Sequence, residues 1–281
     1  MLKKTKVICA LILAGIISCG VQACGIRSLF QKKNVVEDTI RLDAVSVLNA
    51  DLTSADITIR QGSENSLYYK MDEDHVPEIT QENGTLTVKK KSTFSISWFS
   101  FTENKLEITL DSKTLESLDI SLTSGDIDVD GLDFGGTIQT TSGDISVSNA
   151  KNGGTLTLEA TSGEISVRDS KFQSIHKEQC SGDTQMERVE AAKLYLQSTS
   201  GETTISKAKI GNAEISCTSG DTELELIGSE SDYNYSCSCT SGTIRIADTK
   251  AKKNYEQDNH ADHTFTADMT SGDLTVRFSG Q

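Results

Sequence analysis

Acidic side chains recur along this chain in a pattern that could bind cations. A Thr-Ser-Gly triplet, written once as Cys-Ser-Gly, occurs eight times, and Asp or Glu follows the glycine in seven copies. These acids are Asp126, Asp144, Glu164, Asp183, Glu202, Asp221 and Asp273, and Thr243 takes their place in the remaining copy. Carboxylates stacked in a row repel one another, and Ca²⁺ with its oxygen ligands would relieve that repulsion. The alternative, favoured because the nonapeptide pattern of calcium-binding rolls is absent, is that each carboxylate caps backbone N–H groups of its turn and faces water.

Each triplet also carries a serine, whose hydroxyl becomes a nucleophile when a base lies beside it. The sequence marks out no base for any one of these serines, so a structural role is favoured. Glycine suits a turn with a positive φ, and Ser and Thr hydroxyls bond the turn backbone. The predicted turn residues are Ser124, Gly125, Ser142, Gly143, Ser162, Gly163, Ser181, Gly182, Ser200, Gly201, Ser219, Gly220, Ser241, Gly242, Ser271 and Gly272.

Four cysteines beyond the N-terminal segment offer redox or metal chemistry: Cys180, Cys217, Cys237 and Cys239. Cys217 and Cys239 hold the same position, three residues before a turn glycine, so on adjacent units they would lie close enough for a disulfide. The equivalent residues Leu122, Ala160 and Met269 are apolar, so small core side chains are the favoured interpretation. The absence of a CxxC pair weakens a zinc site.

Two further clusters could bind a partner. Asp258–His263 reads DNHADH, where two histidines among acids could hold a metal, although the polar surroundings favour a solvated loop. Trp98, Phe99 and Phe101 form the richest aromatic cluster. They form a binding patch for lipid or glycan if they are exposed, and they close one end of the core if they are buried.

Catalysis on polysaccharides would require clustered acids on one face. The outward row three residues after each turn glycine is mixed in character. It reads Asp128, Ser146, Ser166, Gln185, Thr204, Glu223, Arg245 and Thr275. This row lacks the paired carboxylates that glycoside hydrolysis uses, so we predict a protein that is not an enzyme, with no cofactor and no metal.

The elements that carry these residues follow from the spacing of the turn glycines, which is 18, 20, 19, 19, 19, 22 and 30 residues. Apolar residues alternate with polar ones on both sides of each glycine, which predicts strand, tight turn, strand. A unit of this size buries its apolar face only by stacking on its neighbours. We therefore predict an all-β fold, a right-handed parallel β-solenoid or β-helix of about nine coils with a period of about 19 residues.

One predicted coil departs from the apolar pattern. Lys177 and Gln179 fall at inward positions of the fourth unit. Either the strand shifts its register by one residue or the core is locally polar, and the sequence leaves both alternatives open.

The segment before the regular units is irregular. Leu48–Arg60 is a degenerate repeat in which Ala55 replaces the glycine, and residues 79–90 predict a hairpin around Asn83-Gly84. We therefore divide the predicted domain of residues 40–281 into an irregular part, 40–120, and regular Thr-Ser-Gly-acid coils, 118–281. An unpaired edge is expected at Val276–Gln281.

The N-terminus has the form of a secretory signal. A short basic start precedes the apolar run Val7–Ile17, which is too short for a comfortable membrane span. Small residues and two cysteines follow, which resembles a lipoprotein signal with lipidation at Cys24, or alternatively at Cys19. We predict a signal peptide at 1–23 and a tether at 24–39. An uncleaved anchor and free secretion are the other possibilities, and all three place the chain outside the cytoplasm.

The charge balance excludes some partners. The chain has a net charge of −14 and one proline. Such a surface repels nucleic-acid phosphates and anionic lipid headgroups.

The serial TSGDI-V coils, with the lead-in LEITLDSKTLESLDI, resemble the bacterial putative-adhesin β-strand-repeat family, a domain of unknown function. The resemblance covers most of residues 40–280 and implies a β-solenoid fold with an envelope-associated role. It supplies no catalytic residues. We therefore predict a non-catalytic extracytoplasmic envelope protein, anchored at the membrane surface, that binds a surface component or partner protein. A structural or envelope-stress-linked spacer or sensor is the alternative, and a polysaccharide-processing β-helix enzyme is less favoured.

Overall fold

A computed structural model describes residues 34–91 and 104–280. This part of the chain is all-β, with two three-residue 3-10 helices at Glu73–His75 and Glu230–Asp232. Among the described residues, no helix has the length and apolar character needed to cross a membrane. The strands are β1 Val35–Arg41, β2 Val47–Ser54, β3 Asp56–Gln61, β4 Ser66–Asp72, β5 Glu78–Glu82, β6 Thr85–Lys89, β7 Lys105–Leu110, β8 Ser117–Ser124, β9 Ile127–Asp130, β10 Gly136–Ser142, β11 Ile145–Ser148, β12 Gly153–Ser162, β13 Ile165–Arg168, β14 Lys171–Ser181, β15 Thr184–Glu187, β16 Glu190–Ser200, β17 Thr203–Ser219, β18 Thr222–Ile227, β19 Tyr233–Ser241, β20 Ile244–Ile246, β21 Thr249–Ala251, β22 Asn254–Gln257, β23 His263–Ser271 and β24 Leu274–Ser279.

The strands form two mostly parallel ladders joined through β17, which runs through both. The wide sheet contains the strands before each Thr-Ser-Gly turn, in the order β5-β6-β2-β8-β10-β12-β14-β16-β17-β23-β19-β22. The narrow sheet contains the strands after each turn, in the order β1-β4-β7-β3-β9-β11-β13-β15-β17-β18-β24-β20-β21. The predicted all-β, solenoid-like architecture is confirmed.

The repeat glycines set the register. Ile138 pairs with Ile120 on one side and with Leu158 on the other, and Val147 pairs with Val129 and with its equivalent in β13. These inward side chains are almost fully buried. Parallel stacking therefore places equivalent apolar residues of successive units against one another, and this stack is the core.

Close backbone approach explains the glycine in each turn. The turn glycines have φ between 113° and 148°, a range that residues with a Cβ rarely adopt. A Cβ on Gly143 would also clash with the carbonyl oxygen of Gly125 in the preceding turn. Ala55 occupies the equivalent position in the first unit, and its φ is outside the positive region.

A second corner recurs six residues after most turn glycines. Its residues lie in the left-handed region, with φ between 48° and 75°. They are Gly131, Asn149, Asp169, Arg188 and Lys207, and Ala247 takes the same conformation five residues after Gly242. Asn and Asp tolerate this conformation well, whereas the last three give no sequence signal for it.

The N-terminal end is built from antiparallel strands. The predicted hairpin is confirmed, since β5 pairs with β6 around Asn83 and Gly84, both with positive φ. The degenerate repeat is also confirmed, because β2 and β3 stack on β8 and β9. However, β1 begins at Val35 and pairs with β4. The sheet therefore begins before the predicted tether boundary at residue 40, since Val36 and Ile40 pack against the core.

At the other end, the spatial order of the units departs from their order in the sequence. The β23–β24 unit lies between β17–β18 and β19–β20, so β19–β20 forms the outer unit. Strands β21 and β22 then cover that unit in antiparallel pairing. The predicted unpaired edge at Val276–Gln281 is wrong for Val276, which pairs with both β18 and β20, whereas Arg277–Ser279 pair with β18 alone.

The same order excludes a disulfide between Cys217 and Cys239, the less favoured alternative from the sequence. Cys217 and Cys239 both pair with Met269, on opposite sides of β23. They are thus separated by two strand spacings, about 9.6 Å, which is too far for a disulfide. All four cysteines in the described residues are free, and Cys217, Cys237 and Cys239 are buried in the core.

The fourth unit retains its register and has a polar interior. Lys177 pairs with Leu158 and Leu196, is fully buried, and donates from Nζ to Ser198 Oγ over 2.6 Å. Burial lowers the pKa of Lys177 to about 8. Gln179 accepts a hydrogen bond from Thr184 Oγ1 over 2.9 Å. The locally polar core, left open by the sequence, is the alternative that occurs.

Candidate functional site

The aspartates after the turn glycines cap the backbone of the neighbouring turn, and we refer to them as the capping ladder. Asp126 Oδ1 accepts the N–H of Asp144 over 2.9 Å, and Asp144 Oδ1 accepts the N–H of Glu164 over 2.7 Å. The expectation that each carboxylate caps its own turn is corrected, since these bonds reach the next turn. Asp273 Oδ1 likewise accepts the N–H of Thr243 over 2.8 Å. Thr243 ends the ladder, which explains why an acid is unnecessary there.

The outward face of the wide sheet presents rows of polar side chains. The row two residues before the turn glycine is exposed and consists of Thr, apart from Cys180. It contains Thr53, Thr123, Thr141, Thr161, Cys180, Thr199, Thr218, Thr270 and Thr240 in spatial order. The row four residues before the glycine carries amides, acids and hydroxyls, among them Gln139, Glu159, Glu178 and Gln197. We refer to this surface of β10, β12, β14, β16, β17 and β23 as the wide face.

An aromatic pair interrupts the next row of the wide face. His176 on β14 and Tyr195 on β16 pair across adjacent strands, with ring centroids 4.2 Å apart and an interplanar angle of 54°. His176 is exposed and Tyr195 is half-buried. Tyr195 Oη donates to Gln197 Oε1 over 2.9 Å, which holds the ring against the sheet. Both rings point outward because they stand six residues before a turn glycine, opposite in phase to the core rows.

Shallow depressions mark the same surface. One of about 440 Å³ surrounds the ring pair, and its lining includes Lys193, Asn212 and Glu214. A second, of about 390 Å³, follows the amide and acid row and the Thr row. A third, of about 360 Å³, lies where β14, β16 and β17 enter the wide sheet. All three draw on β12, β14 and β16, so this face combines hollows, rings and hydrogen-bonding groups.

The other predicted sites fall in different places. Asp258 and His260 lie close to each other in an exposed loop, where His260 Nδ1 is 3.4 Å from Asp258 Oδ1. Within the described ranges, no group of three or more His, Cys, Asp or Glu side chains is arranged to hold a metal ion. Cys24, Cys19, Trp98, Phe99 and Phe101 lie outside the described residues. Lipidation and the aromatic patch therefore stay predictions.

Sequence reasoning missed the ring pair. The outward row six residues before the turn glycine reads Thr137, Thr157, His176, Tyr195, Glu214, Thr266 and Ser236 in spatial order. The signal available in the sequence was the pair of aromatic side chains at equivalent positions of two successive units, in a row that is otherwise polar. The outward row three residues after the glycine lies on the narrow sheet, where β9, β11, β13, β15 and β18 carry no aromatic residue.

Comparison with solved structures finds proteins of similar architecture at low identity. A putative adhesin from Bacteroides fragilis is 12% identical, with 87% of this chain and 98% of that chain covered and a TM-score of 0.48. A putative adhesin from Parabacteroides distasonis is 13% identical, with coverages of 88% and 98% and a TM-score of 0.45. A putative lipid binding protein from the same organism is 14% identical, with coverages of 89% and 96% and a TM-score of 0.41. No curated relative matches the sequence.

A family model gives the direct assignment. The model described as Toastrack DUF4097 matches residues 45–277, which span β2 to β23 and the first part of β24. This range includes every Thr-Ser-Gly turn, most of both ladders and the whole wide face. The predicted resemblance to an adhesin-like family of unknown function is confirmed, and the chain belongs to the Toastrack DUF4097 family.

Proposed function

We propose that this protein is a non-catalytic binding module that captures a surface component through the wide face. The observation that carries the proposal is the coincidence of the ring pair, His176 and Tyr195, with the depressions on one side of the rod. Concave surfaces with a few convergent polar groups and an aromatic anchor are the usual setting for ligand binding.

The architecture suits such a role. In this proposal the strand pairs wind as a right-handed solenoid of about nine coils, and the chain acts outside the cytoplasm, anchored by a lipid at Cys24 or, alternatively, Cys19. Solenoids offer extended binding surfaces because each unit presents the same outward positions. The lining of the wide face contains carboxylates and amides among hydroxyls, and its two acids, Glu159 and Glu178, are partners on the adjacent strands β12 and β14.

The test compares capture of envelope components by the full-length protein and two double variants. His176→Ala with Tyr195→Ala removes both rings from the wide face. Gln185→Ala with Thr204→Ala is the matched control, because both residues are exposed on the narrow sheet of neighbouring units. We expect a component bound by the wild type and the control to be lost from the ring variant.

A bound component retained by the ring variant would overturn the assignment of the site. Capture of nothing by any of the proteins would contradict the binding function itself. Circular dichroism and thermal unfolding of the variants establish that each one is folded, since exposed substitutions on a sheet face cost little stability.

A further inference from the structure

The ring pair has the chemistry of a sugar-binding platform. His176 is exposed and Tyr195 is half-buried, and the Tyr195 hydroxyl is held by Gln197. A ring with an apolar face and a polar tip can pack against the C–H side of a pyranose and bond its hydroxyls at the edge. The orienting bond to Gln197 reduces the conformational freedom that would be lost on binding.

The groups around the rings match a ligand rich in hydroxyls. The lining of this depression includes Thr155, Ser174, Lys193, Asn212, Glu214 and Thr266. The adjoining depression adds Gln139, Glu159, Glu178 and Gln197. Amides and hydroxyls both donate and accept, carboxylates accept, and ammonium groups donate, so the set can satisfy hydroxyl groups in either role.

Charge narrows the class of ligand. The chain carries a net charge of −14, which repels an anionic polymer. Next to the rings, however, Lys193 and Glu214 both line the same depression, so neither sign of charge dominates in it. The net negative charge of the whole chain would attract a cation, but this depression would not stabilise the cation more than other parts of the surface. A neutral ligand fits the local balance.

The geometry favours a chain of sugars over a single one. The depressions draw on neighbouring parallel strands, whose equivalent side chains repeat about every 4.8 Å along the rod. A chain of sugars that runs along the rod can therefore meet equivalent groups on successive strands. The depressions are shallow and open, which leaves room for an oligomer to extend beyond the rings.

We infer that the wide face binds neutral oligosaccharide chains, with His176 and Tyr195 packing against a sugar ring and the rows of amides, acids and hydroxyls bonding its neighbours. The inference rests on the proposed binding function and deepens it by naming the ligand class. It concerns the same surface and requires no chemical step.

The test measures binding of defined oligosaccharides to the full-length protein by calorimetry. The probes are neutral β-1,4-linked and α-1,4-linked hexose oligomers and N-acetylhexosamine oligomers of different lengths, with uronic acid oligomers as the acidic set. At least one neutral set is expected to bind, more tightly as its length increases. Tyr195→Ala should weaken that binding about tenfold, whereas Tyr195→Phe, which keeps the ring, should weaken it less than about threefold.

Other results separate this inference from the proposed function. If the ring variant loses capture of an envelope component but no neutral oligomer binds the wild type, the ligand class is wrong and the binding function stands. Tighter binding of the uronic acid oligomers, or neutral binding unchanged by Tyr195→Ala, would also overturn the inference. If envelope capture and oligosaccharide binding are both absent, the proposed function fails as well.

Discussion

Replacing the buried Lys177 by methionine should stabilise the protein at neutral pH. The ammonium group is fully buried and donates to Ser198 Oγ over 2.6 Å. Burial holds its pKa at about 8, against an ordinary value of 10.5. Methionine has a similar length and fills the space without a charge, so the substitution removes the cost of burying an ammonium group.

The magnitude follows from proton linkage. At pH 7 Lys177 is protonated in both the folded and the unfolded state. The difference between the two pKa values lowers the free energy of unfolding by about 3 kcal/mol, relative to a side chain that is neutral in both states. Between pH 8 and pH 10.5 the unfolded chain binds more protons, so this group makes stability rise with pH. Loss of the bond to Ser198 subtracts about 1 kcal/mol. We therefore expect a net gain of about 2 kcal/mol at pH 7.

Urea and thermal unfolding at pH 7 and at pH 10 measure this effect. A gain of that size corresponds to a rise in Tm of about 4–8 °C for a domain of this length, and it should shrink as the pH approaches 10.5. Lys193→Met is the control, because Lys193 is exposed on the adjacent strand and its substitution should change Tm little. The difference between wild type and variant isolates Lys177 from tyrosines and cysteines that titrate in the same range. A variant that is less stable than the wild type at pH 7, or a difference independent of pH, would refute the reasoning.

Two further predictions concern the capping ladder and the N-terminus. Asp144→Ala removes the acceptor for the N–H of Glu164 and should cost about 1–2 kcal/mol in urea unfolding, whereas Asp144→Asn keeps an oxygen there and should cost less; equal costs for the two variants would show that the acceptor is unimportant. Cys24→Ser together with Cys19→Ser should release the protein from the membrane fraction on cell fractionation, and unchanged membrane association would disprove lipid anchoring.

Much of the fold could be predicted because each turn requires a backbone with positive φ, and glycine is the residue that supplies it. The turn glycines and the alternation around them gave the strand pairs and their register, and even Leu48–Arg60 followed this pattern without its glycine. The second corner was missed because Arg188, Lys207 and Ala247 carry no preference for a left-handed conformation. The spatial order of the final units was missed for another reason. Apolar rows match equally well whether β19 or β23 follows β17, so periodicity does not distinguish the two arrangements.

The candidate site was harder to predict than the fold. Core positions are restricted by packing, and the departure at Lys177 was therefore visible in the sequence. Outward positions accept many residue types, so His176 and Tyr195 become noticeable only when adjacent strands are known to place them side by side. The sequence pointed instead to Trp98, Phe99 and Phe101, which lie outside the described residues.

The insertion of β23–β24 between earlier units has a consequence for how the chain acquires its structure. Units up to β17–β18 can each dock on a neighbour that precedes them in the sequence, so this part can grow by successive addition. The β19–β20 unit cannot, because its partners in the parallel ladders are β23 and β24, which are synthesised after it. The β23–β24 unit must therefore dock on β17–β18 before β19–β20 gains its parallel partners. Until that step is complete, β17 and β18 present an unpaired edge, and this is the stage at which the emerging chain is most exposed to mispairing with another copy.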